Sequence, residues 1–221
     1  MKLAYQNIDR VLSFEPGYVV EWVIEHKSLF WEVVNSITVQ IEGMHGNAVL
    51  SVQDRPVEMS RYADITVQFA PFELNRKNLL TKLYAALEQR AVSAGHYVQA
   101  NEILHSIDRF LCDLSEDLPF ELDCKKMSIG PLFRAMGIVI EDSDKNAIEK
   151  VFEYMELVRE LDKDRLFIMV NMRTYFSDSD MELFVKSACL HDFKVLLLES
   201  AAFKRLPDTK RYTIDQDLCE F

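Results

Sequence analysis

The sequence has no glycine-rich phosphate loop. Its six glycines, Gly17, Gly43, Gly46, Gly95, Gly130 and Gly137, form neither GxxxxGK[ST] nor GxGxxG, the spacings that let backbone N–H groups cradle phosphates. It has no GxSxG elbow around Ser177, Ser187 or Ser200, so the hydrolase nucleophile arrangement is missing. Its four cysteines, Cys112, Cys124, Cys189 and Cys219, are dispersed with no CxxC pair, which fits reduced thiols in a cytosolic protein better than a disulfide frame or a zinc knuckle. No N-terminal stretch resembles a signal peptide, and no apolar run approaches membrane-spanning length. A cytoplasmic protein without a membrane partner is expected. Positive charge is also short. The formal net charge of −11 argues against wholesale attraction to a phosphate backbone. No aromatics interleave with the basic residues in the manner that stacks single-stranded bases.

What is present is a buried α/β core. The 221 residues are 49% apolar, enough for one large domain or two small ones. The organising stretch is Arg165–Glu199. Its apolar runs LFIMV and VLLL lack polar alternation, as strands buried on both faces do. Between them Ser177-Asp178-Ser179-Asp180 supplies a helix N-cap with a carboxylate three residues on. Two such strands joined by a helix are expected to be parallel neighbours. LFIMV ends in Asn171, a weaker magnesium ligand than the aspartate that a nucleotide-bound metal prefers.

Further strands are expected at Met1–Asp9, Tyr18–Ile24, Ala48–Gln53, Asp64–Phe69 and Ile138–Ile140, with a helix over His26–Ile41. From Pro71 the character changes. Leu79, Leu80, Leu83, Tyr84 and Leu87 share one helical face, and Ile103, Leu104, Ile107, Phe110, Leu111 and Leu114 share another. These predict two long antiparallel helices, followed by the acidic loop Ser115–Lys126 and a short helix ended by Gly137. Asp142–Leu161 reads as an amphipathic helix with Ile148, Val151, Phe152, Met155 and Val158 inward. Ala202–Phe221 reads as a polar tail that could cross the sheet edge. The domains are therefore a discontinuous α/β head, 1–72 and 137–221, and an inserted α-helical leg, 73–136.

Several groups of residues could carry chemistry. Glu116, Asp117, Glu121 and Asp123 crowd one loop, and hard oxygen donors there suit calcium better than zinc, although the spacing matches no EF-hand and a solvated acidic turn fits equally. Cations gather at Arg76, Lys77 and Lys82, at Lys125, Lys126 and Arg134, and at Lys204, Arg205, Lys210 and Arg211. Each cluster alone reads as a solvated face. His191-Asp192 reads as a helix-end pair rather than a catalytic dyad, and His26, His45, His96 and His105 as helix-end or surface histidines.

In order and spacing, four segments resemble the short form of the Csn-type adaptation proteins of type II-A CRISPR systems. They are DITVQFAPFELNRKNLLTKLYAALE, ELDCKKMSIGPLFRAMGIVIE, NAIEKVFEYMELVRELDKDRLFIMVNMRTYFSDSDMELF and KVLLLES. The resemblance runs from residue 64 to the end. It implies a head related to P-loop ATPases that has lost its nucleotide site, with a helical leg. It implies a ring-shaped homotetramer whose positively charged hole passes double-stranded DNA without sequence preference. It implies calcium on acidic loop residues, no catalytic step, and a role in spacer acquisition beside the integrase subunits and the effector nuclease. Carried over by residue, the calcium ligands fall on Asp117, Glu121 and Asp123. Where relatives continue with carboxylates, this chain has Lys125 and Lys126, which oppose a bound divalent ion. Lys125, Lys126 and Arg134 are then the candidate DNA-facing cations. The competing readings are a divergent NTPase on the same sheet and a protein-only scaffold whose acidic surface docks partners.

Overall fold

The computed structural model describes residues 1–116, 118–119, 127–142, 145–162 and 165–221. In chain order, β1 (Lys2–Tyr5), β2 (Leu12–Ser13), β3 (Val19–Ile24), α1 (Lys27–Ile41), β4 (Ala48–Val52), β5 (Arg55–Val57), α2 (Met59–Tyr62) and β6 (Ala63–Thr66) come first. Three helices follow, α3 (Lys77–Ala91), α4 (Tyr97–Ser115) and α5 (Ile129–Ala135). The last stretch is α6 (Ala147–Leu161), β7 (Leu166–Val170), a 3-10 turn at Met172–Thr174, α7 (Asp178–Leu190), β8 (Lys194–Glu199) and β9 (Thr209–Ile214). The chain divides into two compact units, Met1–Glu73 with Asp144–Phe221, and Leu74–Ser143.

The first unit is a mixed α/β body with two sheets. One is fully parallel and five-stranded, in the order β6-β7-β8-β3-β9. The other is antiparallel and four-stranded, in the order β2-β1-β4-β5. The expected strand-helix-strand unit is present: β7 and β8 pair in parallel, Ile168 opposite Leu196. β3 lies between β8 and β9. Its six residues are all buried, which is why VVEWVI shows little polar alternation.

Alternation along the strands sorts residues between the two faces. Val20, Trp22, Ile24, Ile168, Leu196 and Leu198 join Val33 and Ile37 of α1 and Leu3 and Leu50 of the antiparallel sheet in one core. Burying each such side chain contributes about 1.5–3 kcal/mol. The alternate residues, among them Val23, Met169 and Leu197, are equally buried on the opposite face. Helix α6 turns Val151, Tyr154, Met155 and Val158 inward, and α7 turns Met181, Phe184, Val185 and Ala188 inward.

Local chemistry explains the helix starts. The Asn146 side chain accepts the Glu149 N–H at 2.9 Å, and the Glu149 carboxylate accepts the Asn146 N–H at 3.1 Å, a reciprocal cap at the start of α6. Ser177 Oγ accepts the Asp180 N–H at 3.2 Å and opens α7 as its sequence predicts. His26 caps α1 by accepting the Leu29 N–H at 3.2 Å.

The tail does reach the sheet edge, and there it forms a full strand, β9, with Tyr212 and Ile214 buried. Its TKRYTI alternation fits an edge strand with one buried side. Other expectations need correction. β5 was not expected, because the β4–β5 connection uses Gln53 and Asp54, both at positive φ, without the usual glycine. Ile138–Ile140 is not a strand. Its backbone is held by side chains instead: Asn75 donates to the Ile140 carbonyl at 2.9 Å and accepts its N–H at 2.8 Å, and the Tyr84 hydroxyl donates to the Ile138 carbonyl at 2.8 Å.

The second unit is helical. α3 packs chiefly on α5 and does not pair lengthwise with α4. Ala91, Ala100 and Ile129 form its small core, with Leu104, Leu132 and Phe133 around them. Ile103, Phe110 and Leu114, expected to face another helix, are exposed. Gly137, at φ +63°, follows α5 in the left-handed conformation that ends helices.

Candidate functional site

In a parallel sheet, ligands bind beyond the C-terminal strand ends. Here that edge is occupied by the protein's own side chains. β7 ends at Val170, and Asn171 then adopts a left-handed conformation, φ +52°. Its N–H donates to the Leu198 carbonyl at 2.9 Å, and its side-chain oxygen accepts the Ser200 N–H at 2.8 Å. Asn171 therefore ties the ends of β7 and β8 together. This bonding accounts for a neutral amide at the position where a metal-binding strand end would place an acid.

Two residues later Arg173, 4% exposed, turns back into the fold. Its Nη1 donates to Glu21 Oε1 at 2.8 Å and its Nη2 to Asp178 Oδ1 at 3.0 Å. The guanidinium carbon lies 4.9 Å from the centre of the Phe203 ring. Glu21 is in the middle of β3 and fully buried, and its other oxygen accepts Arg211 Nε at 2.7 Å. Arg211 stands opposite Glu21 in the β3–β9 register and also donates to the Lys204 carbonyl at 3.3 Å. A buried carboxylate held by two guanidinium groups is stable only as a set; removing one partner strands a charge.

Glu199 closes the group from the end of β8. One of its oxygens accepts the Arg173 N–H at 3.1 Å, and the other is buried without a hydrogen-bond partner. Burial pushes its carboxyl up to about 7, and the neighbouring Glu21 pushes the same way. The Arg173 and Met172 N–H groups and the Arg173 guanidinium pull against that rise. Arg173 Nε is likewise unpartnered. The arrangement can hold a proton on Glu199 near neutrality, and its groups face one another rather than solvent.

Sequence reasoning did not find this network. A signal existed in a single charge inside each of two otherwise apolar strand runs, VVEWVI and VLLLE. Such a group must be paired or neutralised: Glu21 is paired with Arg173 and Arg211, and Glu199 accepts the Arg173 N–H and is pushed toward its neutral form.

Of the candidate residues from the sequence, Asp117, Glu121, Asp123, Lys125 and Lys126 lie outside the described residues. Arg134 is exposed on α5, its guanidinium carbon 6.0 Å from the centre of the Tyr84 ring of α3. Arg76 is the N-cap of α3 and Lys77 its first residue. The tail cluster separates. Lys204 and Arg205 are exposed, Lys210 lies 5.5 and 5.6 Å from the Tyr18 and Tyr212 rings, and Arg211 is bound to Glu21. His191 is the C-cap of α7, its ring 5.2 Å from Phe152 and Nδ1 2.9 Å from the Ser187 carbonyl oxygen, as a helix-end residue. Among the described residues no group of three His, Cys, Asp or Glu side chains could hold a metal ion, and no helix is long and apolar enough to cross a membrane.

Residues 40–218 match the family described as CRISPR-associated protein (Cas_Csn2). The CRISPR-associated protein Csn2 of Enterococcus faecalis is 26% identical over 152 residues, 66% of this chain and 65% of that protein. The CRISPR-associated protein Csn2 of Streptococcus agalactiae is 24% identical over 153 residues, again 66% and 65%. The match thus spans 65% of the length of each of these relatives. The crystal structure of Stu0660 of Streptococcus thermophilus superposes with a TM-score of 0.57 at 13% identity, covering 89% of this chain and 68% of that one, a likeness of fold.

Proposed function

The chain belongs to the Csn2 family of CRISPR-associated proteins, and from that premise we propose that it is a non-enzymatic, ring-forming protein. In this reading it binds double-stranded DNA without reading sequence and supports spacer acquisition in type II-A CRISPR adaptation, in the cytoplasm, beside the integrase subunits and the effector nuclease. Its head is a P-loop-ATPase-like α/β body that no longer takes nucleotide. The observation that carries the non-enzymatic reading is the filled strand edge. Just beyond the ends of β7 and β8, Asn171 is bonded to Leu198 and Ser200 at 2.8–2.9 Å and Arg173 to Glu21 at 2.8 Å, so the side chains there are committed to the protein itself.

Charge sets the mechanism of DNA binding. A single subunit with net charge −11 repels a phosphate backbone. A closed homotetramer that turns its cations inward and its acids outward presents a local positive field despite that sum. Arg134, exposed on α5, would face the duplex together with Lys125 and Lys126. Contacts of this kind neutralise phosphates and carry no base information. Calcium, if used, would be held by Asp117, Glu121 and Asp123 and would neutralise acids between subunits; Lys125 and Lys126 are positioned in sequence to take over part of that neutralisation.

The test combines sedimentation with duplex titration. The expected result is a tetramer whose affinity for linear duplex falls steeply with salt and is indifferent to sequence. A protein that stays monomeric at working concentration with calcium supplied, or binding that ignores salt, overturns the reading. Nucleotide turnover by the pure protein, lost on replacing an acid near Asn171, would favour the NTPase alternative.

A further inference from the structure

A second feature lies away from the strand edge, on the outer side of α6 and α7. The inward face of α6 is already complete with Val151, Tyr154, Met155 and Val158. Ile148 and Phe152, expected from their spacing to join that core, are only half-buried. They line a groove of about 440 Å³ with Leu183 and Phe184 of α7. Phe184 is buried and forms the floor, while Leu183 is 65% exposed on the wall. Leu190, two turns further along α7, is 78% exposed.

The groove's rim is acidic. Glu149, Glu153 and Glu156 follow one another along α6 at helical spacing, and Asp180 faces them from the start of α7. Among the described residues the one cation on the lining is Lys145, bound to Glu153 at 2.6 Å. Four carboxylates thus surround an apolar floor with a single ammonium among them.

We propose that this groove docks a basic amphipathic helical segment of a partner protein. A third helix laid between α6 and α7 would place apolar anchors against Phe152, Leu183 and Phe184, as helix-in-groove recognition does. Its lysines or arginines would meet the carboxylates along α6, and this complementarity selects the partner and speeds encounter. A symmetric second copy is a poor occupant, because an isologous contact sets this groove against itself, acid on acid, on a chain of net charge −11. The inference does not rest on DNA binding.

The test uses the full chain and a labelled synthetic peptide of roughly 18 residues, about five helical turns, with leucines on one face and lysines on the other. Fluorescence anisotropy is read at about 0.15 M salt. Saturable binding is expected. A scrambled peptide of the same composition and charge, and a version with glutamates for lysines, should each bind at least about tenfold more weakly. Leu183→Ser and Glu156→Lys, both at exposed positions, should each lower peptide affinity about tenfold while leaving the melting temperature and duplex binding unchanged. Equal binding of the scrambled peptide, or unchanged affinity in both variants, overturns the proposal. So does self-association of the wild type that Leu183→Ser abolishes without any peptide binding, which would make a second copy the occupant.

Discussion

Replacing Glu199 by Gln should raise stability, and by an amount that depends on pH. Burial holds the Glu199 carboxyl at about 7 in the folded chain against an ordinary 4.5. A folded value raised above the unfolded one favours folding fully below pH 4.5, and that contribution is lost as pH rises through about 7. The span is worth about 3 kcal/mol. Glutamine keeps an oxygen for the Arg173 N–H and stays neutral at every pH, so it escapes the loss. Near pH 4.5 the two proteins should melt together. By pH 8 the variant should be more stable by about 3 kcal/mol, or ~6–12 °C in melting temperature for a chain of this size. Thermal melts of both proteins in half-unit pH steps measure the gap directly. A gap that stays constant from pH 5 to 8 would refute the assignment of a raised value to this carboxyl. A wild type favoured increasingly with pH would show instead that the Arg173 attraction outweighs burial.

Other perturbations test the remaining contacts. Arg173→Met leaves Glu21 with one cation and should cost roughly 3–5 kcal/mol, read as a denaturant midpoint. Adding Glu21→Gln should restore part of it in a double-mutant cycle. Tyr154→Phe removes the hydroxyl that donates to Asp64 Oδ2 at 2.7 Å in the interior, and should cost about 1.5–3 kcal/mol by chemical unfolding. Asn146→Ala dismantles the cap of α6 and should cost about 1 kcal/mol, with faster amide exchange confined to that helix's first turn. Arg134→Glu should weaken duplex binding on all sequences alike and flatten its salt dependence; an unchanged isotherm removes Arg134 from the interface.

The parallel core was legible in the sequence for a physical reason. Strands buried on both faces must be apolar at every position, so LFIMV and VLLL announced themselves, and the serine–aspartate cap between them fixed the start of α7. β9 was hidden because an edge strand carries polar residues on its open side, and TKRYTI then reads like a tail. The false strand at Ile138–Ile140 had the composition of a strand but found its hydrogen bonds in the side chains of Asn75 and Tyr84. Ile148 and Phe152 fit the apolar period of α6 but are only half-buried, Phe152 resting edge-on against the buried Phe193 ring at 5.5 Å, since periodicity gives the angle of a side chain on a helix and not what lies opposite it. The Glu21–Arg173–Arg211 network joins residues far apart in the chain, and no local pattern couples them. Family membership was legible from ordered segments, whereas five of the six candidate ligand and DNA residues fall in one acidic-to-basic loop whose placement is not described.

The position of β3 has a consequence for synthesis on the ribosome. Val20 finds its neighbours at Leu196 and Lys210, so this strand must wait until the chain as far as Lys210 has been made. At roughly 5–20 residues per second the wait is on the order of 10–40 s. Throughout it an apolar ribbon with a glutamate at its middle lacks its final strand neighbours. That charge keeps the nascent ribbon from pairing with other chains emerging nearby, and it is neutralised only when Arg173 and Arg211 arrive.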